Sequence, residues 1–153
     1  MDSIIITGSE GLIGRPLCKL FENKGIDLIK FDLALGHDLC EEEVVKDLFS
    51  KHKAKCLINL IGWNHHIDNS EQSDSCDYLN CSLESFQKFN QVNVDSLFLM
   101  CREFIKNNDQ NLNVINFASL YACRSPKAFI YPEGPKHIGY VTSKHAVIGL
   151  TRY

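Results

Sequence analysis

The segment Tyr140-Val141-Thr142-Ser143-Lys144 sets a phenol and an amine four residues apart. On a helix, residues at that spacing share one face. An ammonium beside a phenol favours the phenolate, drawing a tyrosine pKa from about 10 toward neutrality. Such a tyrosine can trade protons with an alcohol or a ketone at physiological pH. The same pair also occurs on ordinary solvated helices, so the rest of the chain must decide its meaning.

A second motif lies at the other end. Thr7-Gly8-Ser9-Glu10-Gly11-Leu12-Ile13-Gly14 follows an apolar β-branched run and leads into a helical pattern. Gly8 permits a tight turn, Gly11 lets a pyrophosphate approach the backbone, and Gly14 lets the helix pack closely on a sheet. The helix N-terminus then faces the anion. Gly8, Gly11, Leu12, Ile13 and Gly14 are therefore expected to hold a dinucleotide. Asp32, about 20 residues further on, is placed to accept bonds from the adenosine ribose hydroxyls. Its carboxylate repels a 2′-phosphate, so NAD is expected in preference to NADP. Leu33 brings no cation to reverse this, and Arg15 is expected to point to solvent. Asp38 and Leu39, expected to follow a third strand, would flank the adenine.

The elements that must position these residues alternate along the chain. Strands are expected over Ser3–Thr7, Asp27–Phe31, Cys56–Ile61 and Asn113–Ala118. Helices are expected over Leu12–Lys24, Glu41–Ser50, Leu83–Ile105 and from Gly139 onward, with a polar loop from Asn64 to Cys81. Phe86, Phe89, Val92 and Leu97 should turn the long helix toward the core. This order predicts an α/β fold, a doubly wound parallel sheet of Rossmann type, in one domain over 1–153. A net charge of −3 and a pI near 6.0 give no electrostatic footprint for nucleic acid or an anionic membrane. Seven cysteines, an odd number scattered through apolar segments, read as reduced thiols, and a cytoplasmic location is expected.

With Gly8, Gly11, Gly14 and Asp32 ahead of Tyr140 and Lys144, the chain resembles the short-chain dehydrogenase/reductase family from Ile4 to Tyr153. Asn59-Leu60-Ile61-Gly62 is similar to the family's Asn-Asn-Ala-Gly segment, which stabilises the sheet and borders the cofactor. Leu60 and Ile61 replace its second and third residues. Asn93 matches the family's helix asparagine and Ser119 the serine closing a strand. The resemblance implies an NAD-dependent oxidoreductase with a catalytic set of Asn93, Ser119, Tyr140 and Lys144. Tyr140 would be the general acid/base, and Lys144 would favour its phenolate and hold the nicotinamide ribose. Ser119 would orient the substrate oxygen, and Asn93 would hold a water that relays protons. Asn59, Gly62, Tyr140 and Lys144 would line the cofactor beside the glycine loop. A small-molecule substrate and, for the full-length protein, a homo-oligomer are implied.

The stretches Pro126–Tyr131 and Gly149–Tyr153 look like a subgroup linked to bacterial surface-sugar and flagellin-glycan synthesis, which would make the substrate sugar-like. Family members continue for roughly a hundred residues past this helix, through a substrate lid. A C-terminal truncation is therefore expected, with the isolated chain weakly stable and weakly active. Two other readings stay open. The Thr-Gly-x-x-Gly-x-x-Gly spacing matches nucleotide-sugar epimerases and dehydratases that retain NAD, and an early stop suits an inactive NAD-binding protein. His65, His66, Cys76 and Cys81 match no common zinc spacing, so no metal is expected. Trp63, His65, His66, Phe129 and Tyr131 either form a polar-aromatic pocket or cover the sheet.

Overall fold

The computed structural model describes residues 3–64, 78–108, 111–130 and 136–153. These residues form two compact units. The first comprises residues 1–61 and 96–117 and contains the whole sheet. Its four parallel strands are β1 (Ile4–Thr7), β2 (Leu28–Phe31), β3 (Cys56–Asn59) and β4 (Asn113–Asn116), in the order β2-β1-β3-β4. The register sets Thr7 beside Asn59 and Asn59 beside Asn116, so three strands end level.

Strand side chains alternate between the two faces. Ile5, Leu57 and Phe31 join Val45, Leu48 and Phe49 of α2 (Glu42–Lys51) and Met100 and Phe104 of α4 (Ser96–Asn107) in one core. Ile6 and Ile58 join Cys18, Leu17 and Phe21 of α1 (Gly14–Asn23) in another. Helices thus cover both faces, as the near-continuous apolar strands require. Helix α1 carries Pro16 in its first turn, where the missing N–H costs no helical bond. It stops at Gly25, whose φ is 71°. There the N–H of Gly25 bonds Glu22 and that of Ile26 bonds Phe21, a Schellman stop.

Three expectations are corrected. Helix α1 begins at Gly14, because residues 8–13 are used in the turn that precedes it. No third strand precedes Asp38. Asp32 instead caps a 3₁₀ turn at Leu33–Leu35 that Gly36 ends at φ 85°, too tight a path for a strand. The single helix expected over Leu83–Ile105 is α3 (Leu83–Asn90), a π turn (Gln91–Asp95) and then α4. Phe89 and Leu97 are buried as expected, whereas Phe86 and Val92 are only half-buried.

The second unit comprises residues 62–95 and 118–153. It holds α3, the π turn, 3₁₀ turns at Leu120–Ala122 and Ala128–Ile130, and α5 (Ile138–Arg152). Gly139 lets α3 and α5 approach, since a Cβ there would lie 2.9 Å from the Cβ of Phe89. No helix among the described residues is long and apolar enough to cross a membrane.

Candidate active site

In the first unit the glycine loop lies at the carboxyl end of β1. Strand order reverses there, with β2 on one side of β1 and β3 on the other, which is where open α/β sheets bind ligands. Gly8 has φ 65°, and a Cβ on it would stand 2.9 Å from the Ile61 nitrogen and the Leu60 carbonyl carbon. A side chain on Gly14 would meet the Gly8 oxygen at 2.1 Å. Gly11 closes the turn with its N–H on the Gly8 carbonyl at 3.1 Å. Leu12 and Ile13 are exposed beside it. Ile13, which precedes α1, supplies no side-chain cap; the Arg15 N–H bonds the Gly11 carbonyl at 3.1 Å, the Leu17 N–H bonds the Ile13 carbonyl at 3.2 Å, and Pro16 has no N–H. The Ser9 hydroxyl is buried with no hydrogen-bond partner. A narrow backbone cradle, a helix start without a side-chain cap and an orphaned buried hydroxyl fit an anion such as a pyrophosphate.

The Asp32 carboxylate ties this loop to the end of β2. One oxygen accepts the Glu10 N–H and the other the Ala34 N–H, both at 2.9 Å. It is therefore a cap as well as a candidate ribose ligand, since each carboxylate oxygen has a further lone pair. Arg15 is exposed and paired with Glu10 at 3.4 Å. Asp38 is exposed and caps the Cys40 N–H at 3.0 Å, whereas the Leu39 side chain lies in the core. Asn59 is buried and fully engaged at the ends of the strands. Its amide donates to Asn116 at 2.9 Å and to the Cys101 sulfur at 3.6 Å, and its oxygen accepts from the Thr7 hydroxyl at 3.3 Å. Asn59 thus fastens the strand ends. Sequence reading missed Cys101 and Asn116, whose roles depend on strand register.

In the second unit Tyr140 and Lys144 do share one face of α5. The Lys144 ammonium lies 5.9 Å from the centre of the Tyr140 ring. Lys144 is buried, and loss of hydration lowers its pKa from 10.5 to about 8. A Cβ on Gly62 would lie 3.4 Å from that ammonium and 3.8 Å from the Asn93 oxygen, so Gly62 leaves room for both. Asn93 lies in the π turn, a wide turn common at functional sites. It is buried and clamped to a backbone segment. Its oxygen accepts the Trp63 N–H at 2.7 Å, and its amide donates to the Trp63 carbonyl at 3.3 Å and to the Ser143 hydroxyl at 3.0 Å. Ser119 caps the Leu120–Ala122 turn by accepting the Tyr121 N–H at 3.2 Å, which leaves its own proton to donate.

Two residues here escaped the sequence reading. His137 precedes α5 and accepts the Gly139 N–H on Nδ1 at 3.0 Å. Its neutral ring then carries the proton on Nε2, aimed at the Ser85 oxygen at 2.9 Å and the Cys81 sulfur at 3.7 Å. Phe89 stacks on His137 at 3.9 Å and on Trp63 at 4.6 Å. Lys136 bonds the Asn64 side-chain oxygen and sits 4.7 Å from the centre of the Tyr140 ring. Lys136 precedes α5 and its partner Asn64 is 72 residues away, so no local pattern signals it. Of the expected aromatic pocket, Trp63 lies in this stack and Phe129 is exposed. His65, His66, Cys76 and Tyr131 lie outside the described residues. No group of three or more potential metal ligands occurs among the described residues.

The fold is an open parallel α/β sheet with a glycine cradle at the carboxyl end of its first strand. A family model described as enoyl-(acyl carrier protein) reductase matches residues 13–153. The chain belongs to that family, within the short-chain dehydrogenase/reductase group of oxidoreductases. Among solved structures, a 4-hydroxyisoleucine dehydrogenase complexed with NADH and succinate is 25% identical with a TM-score of 0.75. The match covers 97% of this chain and 70% of that one. The aldohexose dehydrogenase of Thermoplasma acidophilum, in ligand-free form, is 22% identical with a TM-score of 0.71, covering 99% and 59%. A short-chain dehydrogenase from Leptospira borgpetersenii with bound NAD+ is 18% identical with a TM-score of 0.81, covering 100% and 64%. These last two likenesses carry the fold alone. No curated protein matches the sequence.

Proposed function

We propose that the chain is an NAD-dependent oxidoreductase acting on the hydroxyl or carbonyl of a small polar molecule, with Tyr140 as its acid/base. The observation that carries this reading is the phenol of Tyr140 on one face of α5 with the buried Lys144, whose ammonium stands against Gly62 and near the clamped Asn93. The family and the NADH-bound relative support NAD as the cofactor. Gly8, Gly11, Leu12, Ile13 and Gly14 would take its pyrophosphate, and Asp32 its adenosine ribose. The negative charge of Asp32 favours NAD over NADP. When bound, the nicotinamide supplies the hydride acceptor or donor.

The chain's own residues handle the proton. Tyr140 takes the hydroxyl proton of an alcohol, or returns it to a ketone. Lys144 holds the nicotinamide ribose. Ser119 donates its free proton to the substrate oxygen, where charge develops. Asn93 fixes the Trp63 backbone and orders the proton path beyond Lys144. Purified protein should bind NADH with enhanced fluorescence and oxidise or reduce a member of a polyol and hydroxy-acid panel. Tyr140→Phe should keep NADH binding and lose about 10²–10⁴-fold in turnover. Undiminished turnover in that variant would remove Tyr140 from the chemistry. The glycine spacing also favours an epimerase or dehydratase that retains NAD. Net NADH formation from substrate would exclude that second reading.

A further inference from the structure

Lys136 is the charged group near Tyr140 that the proton chemistry leaves unused. It is only 8% exposed. Its described partners are a neutral amide oxygen, that of Asn64, and the face of the Tyr140 ring at 4.7 Å. Among the described residues of this unit the carboxylates are Glu84 and Asp95, both exposed. The ion pairs between described residues all lie in the other unit. Burial holds the Lys136 pKa below the lysine range, and among the described residues no charged neighbour acts against it. An interior ammonium without a counter-charge is costly and is retained where a ligand supplies the charge.

We propose that Lys136 is a specificity-determining residue that binds an oxyanion of the substrate, a carboxylate or a phosphate group. This rests on the reading of Tyr140 as the acid/base. An oxyanion held at an ordinary charge-assisted distance of about 2.8 Å stands close to the Tyr140 ring. The anionic group and the reacting carbinol then belong to one small molecule, a hydroxy acid or a phosphorylated polyol. A neutral sugar or simple alcohol would leave Lys136 unpaired. The amide oxygen of Asn64 keeps the ammonium in place without neutralising it, which suits a site that must accept an anion and release it.

The test titrates the NADH-saturated chain with succinate, with inorganic phosphate and with neutral propane-1,2-diol, by calorimetry at ionic strength matched with sodium chloride. Succinate or phosphate should bind where the diol does not, and the better of the two identifies the anionic group. Lys136→Met should weaken that binding about tenfold or more while NADH affinity is unchanged. Lys136→Arg, which keeps the charge, should retain it. Equal anion binding by wild type and Lys136→Met, or none by wild type, overturns the proposal. Should Lys136→Met fail to fold, shielding of Lys136 from an amine reagent by the anion, read by mass spectrometry on the wild-type chain, decides the question, and absence of shielding overturns it. That measurement is made with and without NADH. Failure of NADH to bind then counts against the dinucleotide reading alone.

Discussion

The two units fill their interiors with different chemistry. In the sheet unit the buried side chains are mostly hydrocarbon: Ile5, Phe31, Phe49, Leu57, Met100 and Phe104 close one face, with ion pairs such as Lys51–Asp47 outside. In the second unit, the buried hydrophobic residues among those described are Phe89, Ala122 and Val147. Beside them lie Asn93, Lys136, His137, Ser143 and Lys144, polar or charged and also buried. The first interior stabilises by removing apolar area from water, at about 25 cal/mol per Å². The second spends part of its stability on solvating charge with amides, hydroxyls and ring faces. A unit that exists mainly to stay folded has no use for two interior ammoniums, whereas the proton transfer proposed for Tyr140 and Lys144 would use them.

Four measurements sharpen or break this contrast. The largest effect is expected for Phe104→Ala, which empties part of the sheet unit's core and should cost about 3–5 kcal/mol in denaturant unfolding. A cost below about 1 kcal/mol would show that the sheet unit does not depend on its apolar interior. Next comes pH. Lys144 is depressed to about 8 in the folded chain from 10.5, so between those values the unfolded chain holds the extra proton and folding gains stability as pH rises. The gain is of order 3 kcal/mol. Cys18, Cys56 and Cys101 pull the other way above pH 9, because burial keeps their thiols protonated. The comparison of wild type with Lys144→Met isolates the lysine, and parallel stability–pH curves would deny the buried charge its cost.

Gly139→Ala follows, at about 1–3 kcal/mol, since its methyl must displace Phe89. A neutral result would mean that α3 and α5 separate easily. Smallest is Lys51→Ala. It removes an exposed pair on α2 and should leave the unfolding midpoint unchanged within error.

What the sequence made legible follows from how local each cause is. Gly8 and Gly14 were readable because a positive φ and a Cβ collision are properties of the backbone at those residues. Tyr140 and Lys144 were readable because a helix repeats. Asn93 was placed by resemblance, but its partner is the backbone of Trp63, 30 residues away. Lys136 stayed hidden for the same reason, since Asn64 is 72 residues distant. The π turn was invisible: Val92-Asn93-Val94 continues the helical pattern of its neighbours, and the widening answers to tertiary bonds. The strand expected before Asp38 failed because Asp32 prefers to cap a turn with its own side chain.

The thiol of Cys101, wedged between Asn59 and Asn116, has one more consequence. Burial keeps it protonated and slow toward alkylating reagents, while Cys123 is exposed. With Cys18 and Cys56 in the same sheet unit and Cys81 in the other, the chain carries its own set of timed tags. The delay with which iodoacetamide marks Cys18 and Cys101 records the opening of the sheet unit, without any label being engineered.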